Sequence, residues 1–285
     1  MTQTLIDPRM AVEEVAPALR AGEIIPYLGS GISALSMPAA PGTAPMSPDD
    51  LAAFFGTKVT LPRRAAGNAW ASAQYIESYK HRSTVTALMA EAFATPVPPT
   101  PFHGWLAGLD LPLIVDSWYA GEMRQALAAM RDDWVEVQGI TRAGIGEDRW
   151  YRFYGPEGGE SSAEAAAAAR TLLYTPHGGM LPAQNFLITD ADYVEILTEI
   201  DIQTPIPEAV RQRRTGKPFL FLGCRFHDQL LRSYARQIIK RSGDPHYAVV
   251  DLGSLTRNEV RFLDEQNITP IDMPLGTFLD TLIGG

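Results

Sequence analysis

Apolar residues along the chain fall into two rhythms, helical spacing and short unbroken runs, and the two alternate from one end to the other. Asp7-Pro8 opens a helical stretch with Met10, Val12, Val15, Ala16 and Leu19 on one side, and Gly22 ends it. Ile24, Ile25, Tyr27 and Leu28 follow as a buried parallel strand that runs straight into Gly29-Ser30-Gly31. Residues 33–48 are too rich in Pro, Ala and Ser for regular structure, and a loop of that length suits a lid. Ser47-Pro48-Asp49-Asp50 then reads as a helix start with Ser47 as N-cap. Residues 64–95 keep helical spacing on either side of a cap at Ser83, so a small helical insert is expected over about 48–100.

After the Pro-rich stretch at 96–101, a short helix carries His103, and the apolar run 111–115 is an interior strand with Asp116-Ser117-Trp118-Tyr119 at its carboxyl end. Residues 134–137 and 150–154 read as short strands forming a hairpin on one edge, within an irregular strand-containing insert at about 130–165. An alanine-rich helix at 164–170 and a strand at 172–174 lead to Pro176-His177-Gly178-Gly179. From Asn185 the pattern becomes regular. NFLIT is a strand, Asp190 caps a helix through Leu197, and a helix from Pro207 stops at Gly216. The run 219–222 is a buried strand ending in Gly223-Cys224-Arg225, and Asp228 caps the next helix. A strand at 247–250, a helix at 258–266, a strand at 268–271 and a last helix complete the chain. This alternation predicts an α/β fold, a Rossmann-like doubly wound, mostly parallel sheet with a small helical insert, as a single domain over 1–285.

Composition narrows the function. With 46 % hydrophobic and 20 % charged residues in 285, the chain can bury a full core. A net charge of -9 argues against nucleic acid, whose phosphates are bound by Lys and Arg. Cys224 is the only cysteine, so neither a disulfide framework nor a four-thiolate zinc site can be built within one chain, and no metal ligands are assigned. No segment reaches the roughly 20 apolar residues of a spanning helix, so a cytoplasmic protein without membrane contact is expected.

The candidate chemistry gathers behind the strands. Glycines at 29 and 31 let backbone approach a ligand closely, and a helix starting there favours an anion. Gly29-x-Gly31-x-x-Ala34 matches the loose dinucleotide fingerprint, yet no second strand precedes Asp49 and Asp50, which read as capping residues rather than as a ribose-binding acid. His177, on a constrained turn, is either a base or a surface histidine, and His103 either lines a site or is a structural hydrogen-bonding residue.

Four separated motifs, GSGIS (29–33), DSWY (116–119), PHGG (176–179) and FLGCRFHD (221–228), occur in the order found in sirtuin-like proteins. The sequence resembles more narrowly the zinc-less bacterial branch, which also carries Pro101-Phe102-His103 and an ITDADY-like segment at 188–193. The resemblance implies an NAD-binding Rossmann-like domain in a family with members that cleave the nicotinamide–ribose bond. Gly29, Ser30, Gly31 and Ser33 then correspond to the phosphate loop, His177 to the base, and Gly223, Cys224 and Arg225 to the last motif. The family's asparagine for the nicotinamide ribose and the aspartate two residues on are replaced here by Trp118 and Ala120. The expected function is therefore an NAD- or ADP-ribose-binding protein with weak or no NAD cleavage, a nucleotide sensor or regulator. The alternative is an NAD glycohydrolase, with His177 as base or orienter and Asp116 or Ser117 holding the ribose. A deacylase is disfavoured because its zinc lobe needs four cysteines, and outside the family a plain structural partner protein stays open. The expected partner is a small-molecule nucleotide, with a protein partner or a homo-oligomer left open.

Overall fold

Among the described residues, the strands form one eight-stranded sheet and a two-stranded ribbon. The computed structural model describes residues 7–36, 43–141, 150–199 and 206–284. In chain order the elements are α1 (Pro8–Arg20), β1 (Ile25–Leu28), α2 (Ser30–Ser33), α3 (Pro48–Lys58), α4 (Ala69–Lys80), α5 (Arg82–Ala92), α6 (Pro101–Gly108), β2 (Leu113–Asp116), α7 (Glu122–Met130) and β3 (Trp134–Gly139). They continue with β4 (Tyr151–Tyr154), α8 (Ala163–Ala168), β5 (Thr171–Thr175), β6 (Gly178–Gly179), β7 (Asn185–Phe186), α9 (Asp190–Glu199), α10 (Glu208–Arg214) and β8 (Phe219–Leu222). The last are α11 (Gln229–Ile239), β9 (His246–Val250), α12 (Arg257–Glu265), β10 (Ile268–Asp272) and α13 (Leu275–Gly284).

The main sheet runs β10-β9-β8-β1-β2-β5-β3-β4, parallel throughout except for β4, which pairs antiparallel with β3 at the edge. Both faces are covered, which is why β1, β2, β5 and β8 are buried at every position and read as mostly apolar runs. Alternate residues still divide between the faces. Ile25, Tyr27, Phe219 and Phe221 pack with Val210 of α10, Tyr234 and Ile238 of α11 and Phe262 of α12. Leu28, Leu220 and Leu222 pack with Val15 and Leu19 of α1, Leu106 of α6, Leu127 of α7 and Phe278 of α13. This is the doubly wound Rossmann-like arrangement that the alternation predicts. A third cluster joins α3, α4 and α5 to Trp118, Tyr119, Phe186 and Tyr193, so the helical insert has its own core against the turns that follow the strands.

Several local expectations are corrected. The break between α4 and α5 falls at His81, which has a positive φ of 74°, so Ser83 lies inside the first turn of α5 rather than capping it. Met10 is exposed on α1 instead of joining the core. NFLIT forms a strand only at Asn185–Phe186, paired antiparallel with Gly178–Gly179 outside the main sheet. Its other residues are buried with their amides taken locally: Leu187 N–H donates to the His177 carbonyl (2.9 Å), and Ile188 and Thr189 N–H donate to Asp192 Oδ2 (3.0 and 3.1 Å). Thr189, not Asp190, caps α9, its Oγ1 accepting from Asp192 N–H at 3.2 Å. The hairpin expected from 134–137 and 150–154 does form, with β4 at the sheet's edge, and β3 lies fully buried between β5 and β4. Of the expected lid, residues 37–42 lie outside the described residues, whereas Ala44 and Met46 are buried in the helical-layer core.

Candidate functional site

β8, β1, β2 and β5 are consecutive neighbours, and the turns at their carboxyl ends carry Gly223, Gly29, Ser117 and His177. In sequence the chain moves from β1 to β2 on one side and returns to place β8 on the other, so β1 and β8 flank the switch point where open α/β sheets bind ligands. The cavity there is lined by Gly29, Ser30, Ser117, Trp118, His177, Gly223, Cys224 and Arg225, all expected from the sequence. It is also lined by Trp70, Tyr119, Tyr193 and Phe226. Its free volume is about 60 Å³, room for a few water molecules, and its wall is rich in aromatic side chains.

The glycines serve a purpose besides ligand approach. Gly29 N–H donates to the Leu222 carbonyl (2.8 Å) and Gly31 N–H to the Gly223 carbonyl (2.9 Å). A Cβ at Gly29 would lie 2.5 Å from the Gly223 oxygen, one at Gly31 2.8 Å from Gly223 Cα, and one at Gly223 2.6 Å from Ile32 N. The first and last motifs therefore meet backbone to backbone, and the close approach that demands glycine is to each other. Ser30 faces the cavity at the start of α2, and Ser33 is buried beneath, next to the Glu122 carboxyl.

His177 is the best-defined polar group in the cavity. Its Nδ1 lies 3.1 Å from the Ser117 carbonyl oxygen, so Nδ1–H donates and Nε2 carries the lone pair. That Nε2 is buried with no hydrogen-bond partner. The ring stands edge-on to Tyr193 and Tyr234, with centroids 5.2 and 4.9 Å away. Burial lowers its pKa from 6.5 to about 4, against the opposing pull of the Ser117 bond, and the imidazole is neutral at pH 7.

The other expected residues divide. Ser117 Oγ donates to the Leu28 carbonyl at 2.7 Å, tying the second motif to β1. Cys224 packs its thiol in the cavity wall, and burial pushes its pKa well up, so it stays protonated. Arg225 donates through Nε and Nη2 to Glu259 (3.0 and 3.1 Å) and through Nη2 to the Ser254 carbonyl. Asp116 does not line the cavity. It is buried and its Oδ1 accepts from Trp118 N–H at 3.2 Å; burial first, then the charges of Glu122 and Glu136, raise its pKa. His103 is likewise elsewhere, at the start of α6, where its Nδ1 meets Thr100 N (3.1 Å) and Oγ1 (2.9 Å) in a capping box.

Trp118 is anchored rather than loose in the crevice. Its Nε1 donates to the Pro45 carbonyl at 3.0 Å and its ring packs on Phe93 and Tyr119. Trp118 thereby binds the segment before α3 to the second motif.

Sequence reading passed over Trp70 as a site residue and left Tyr193 unassigned within the ITDADY segment. Asn68 caps α4, and its Nδ2 donates to Asp228 Oδ2 at 3.1 Å, which holds the first turn of α4, and Trp70 with it, beside the start of α11. Tyr193 is held through its neighbour: Asp192 pairs with Arg82 of α5 at 2.8 Å and accepts from Thr141 Oγ1 at 2.7 Å. The Trp70 indole and the Tyr193 hydroxyl are both buried, and the hydroxyl interacts with the Trp70 and Tyr119 side chains.

The family model described as SIR2-like domain matches residues 112–271, more than half of the chain. The chain belongs to the SIR2-like family. In this SIR2-like chain the match takes in Ser117, His177 and Gly223, whereas the glycine turn after β1 and the helical layer precede it. Comparison with curated proteins gave no match. Among the described residues, no three or more His, Cys, Asp or Glu side chains are grouped to hold a metal ion, and no helix is long and apolar enough to cross a membrane.

Proposed function

We infer that this SIR2-like chain binds NAD or ADP-ribose at the β8-β1-β2-β5 crevice and cleaves NAD weakly or not at all, acting as a nucleotide sensor or regulator. One observation supports this reading above others: His177 Nε2, a buried acceptor without a partner, faces a cavity at the switch point of a SIR2-like sheet. Leaving such an atom unpaired costs about 1–3 kcal/mol, and a sugar hydroxyl donating to it removes that cost. Ser30 at the start of α2 and Arg225 beside Gly223 line the same cavity, which supports a diphosphate bound beside them. NAD would supply a nicotinamide–ribose bond whose breaking builds positive charge on the sugar.

Weak cleavage follows from what stands at 118 and 120. The Trp118 indole N–H is engaged by the Pro45 carbonyl and Ala120 offers no polar side chain, so neither position supplies a group to hold the sugar on which that charge develops. Losing one positioned polar group commonly lowers such a rate by about 10²-fold or more. The same histidine also supports the glycohydrolase reading, because a neutral His177 with a partnerless Nε2 is in the protonation state of a base.

Melting curves with NAD and ADP-ribose, together with chromatographic detection of nicotinamide, test the reading. ADP-ribose should raise the melting temperature in a concentration-dependent way, at least as much as NAD, with nicotinamide at background. No shift with either at millimolar concentration overturns it. Rapid nicotinamide release that vanishes in His177→Ala establishes the glycohydrolase instead.

A further inference from the structure

α11 separates the crevice from a second space. Its Leu231 and Ala235 line the crevice, whereas Arg232, Ser233 and Arg236 of the same helix face Asn258, Arg261 and Glu265 of α12 across a groove of about 320 Å³. That volume suits a small-molecule site. Positions 232 and 236 on α11, and 258, 261 and 265 on α12, are three or four residues apart, so each set lies on one side of its helix. Buried Phe262 lies between them in the groove wall.

Charge in this groove runs against that of the chain. The protein carries 24 Lys and Arg against 33 Asp and Glu, yet the groove holds three guanidiniums and one carboxylate. Each guanidinium is placed by a contact that leaves donors over. Arg232 Nη1 donates to the Phe226 and His227 carbonyls at 2.6 and 2.7 Å. Arg236 stands over the Phe262 ring at 5.9 Å, with Nη2 3.6 Å from Glu265 Oε2. Arg261 Nε lies 3.1 Å from Glu265 Oε1. A guanidinium has five N–H donors and accepts nothing, so among the described residues Nε and Nη2 of Arg232 and both Nη groups of Arg261 keep donors without an acceptor. The two pairs with Glu265 are solvent-exposed and contribute little, so one carboxylate does not satisfy the set.

The surplus of two positive charges matches a phosphate monoester, which bears close to two negative charges near neutral pH and three oxygens that accept from guanidinium forks. The Ser233 hydroxyl and the Asn258 amide add uncharged donors. A single carboxylate would balance half of the surplus. A nucleic-acid strand needs a long strip of cations, which a chain of net charge -9 is poorly suited to offer.

We propose that the α11–α12 groove is a second anion site, which takes the phosphate monoester of a small phosphorylated molecule on Arg232, Arg236 and Arg261. The site lies on the far side of α11 from the crevice and does not depend on the nucleotide reading.

Calorimetric titration of the full chain with glycerol phosphate and with acetate, at matched low ionic strength, tests it. Wild type should bind glycerol phosphate more tightly than acetate by about tenfold or more, and less tightly as salt is added. Arg261→Gln should weaken glycerol phosphate by about 5- to 10-fold, and Ser233→Asp, which puts a carboxylate into the groove, by about tenfold or more. The Arg261 side chain is 74 % exposed, so Arg261→Gln decides the matter if Ser233→Asp fails to fold. Equal affinity for the two anions, or no binding of glycerol phosphate, overturns the proposal. Affinity unchanged in Arg261→Gln overturns it as well, and a phosphate that ADP-ribose then displaces lies in the crevice, which leaves the proposed function standing.

Discussion

His177 Nδ1 stands 3.1 Å from the Ser117 carbonyl oxygen, so the backbone of the second motif sets the tautomer of the histidine in the third. The bond joins the turns after β2 and β5, neighbouring strands, and turns the basic nitrogen toward the cavity. A surface histidine has no such constraint.

Burial of that ring gives a pH dependence with a definite sign. The folded pKa is about 4 and the ordinary value 6.5, so between these the unfolded chain binds the extra proton and stability falls as pH drops from about 6.5 to about 4. The full effect is on the order of 3 kcal/mol. Buried His103, also lowered to about 4, adds a slope of the same sign, and the raised carboxyls of Asp116, Glu122 and Glu136 oppose it. Urea denaturation of wild type and His177→Gln across this range should show the shallower dependence on pH in the variant. Parallel curves for the two would contradict a buried neutral His177.

The meeting of the first and last motifs predicts unequal glycine substitutions. Gly223→Ala should lower stability by about 2–4 kcal/mol, because a Cβ would meet Ile32 N at 2.6 Å and φ is +67°. Gly56 lies within α3 with nothing near its Cβ, so Gly56→Ala should be neutral or stabilising by roughly 0.5–1 kcal/mol. Thermal denaturation of the two single variants gives the comparison. Ligand binding by a glycine variant at 29, 31 or 223 is informative only after its fold has been checked.

Glu259 holds the last motif in place. It is fully buried, accepts from Arg225 Nε and Nη2, from Phe226 N–H at 3.1 Å and from Thr256 N–H at 2.9 Å, and caps α12. Burial raises its pKa, but the Arg225 and Thr256 hydrogen bonds outweigh this and bring it to about 2. Its contribution is present above pH 4.5 and is lost as pH falls toward about 2. Glu259→Gln should cost about 2–4 kcal/mol at pH 7, measured by chemical denaturation, and the deficit should shrink on acidification.

Restoring the family side chains probes chemistry directly. Trp118→Asn with Ala120→Asp should raise nicotinamide release above wild type, and His177→Ala added to it should remove the gain. Because Trp118 is buried and bonded to Pro45, the double variant should also lose about 3–5 kcal/mol of stability, so the assay belongs below its melting temperature. Release unchanged in the folded variant would mean that those two positions do not limit cleavage.

The sequence by itself determined the alternation of elements, the buried character of β1, β2, β5 and β8, and the order of motifs that leads to the SIR2-like family. These are local properties: strands covered on both faces are mostly apolar, and caps such as Ser47 and Asp228 act within their own first turn. It also marked half of the residues that line the cavity, because the turns after adjacent parallel strands share one edge of the sheet. Tertiary structure alone decided the rest. Asp116, at the end of β2, turned out buried among carboxyls rather than facing the crevice, and His103 became a cap, since side-chain direction depends on packing across the layers. Leu187 and Ile188 look like strand residues yet give their amides to His177 and Asp192, partners that only the fold brings near. Trp70 and Tyr193 are 123 residues apart in sequence and reach the same cavity only because α4 and α9 close over the sheet's carboxyl edge, held there by Asn68–Asp228 and Arg82–Asp192, contacts between segments whose spacing in the chain carries no periodic signal.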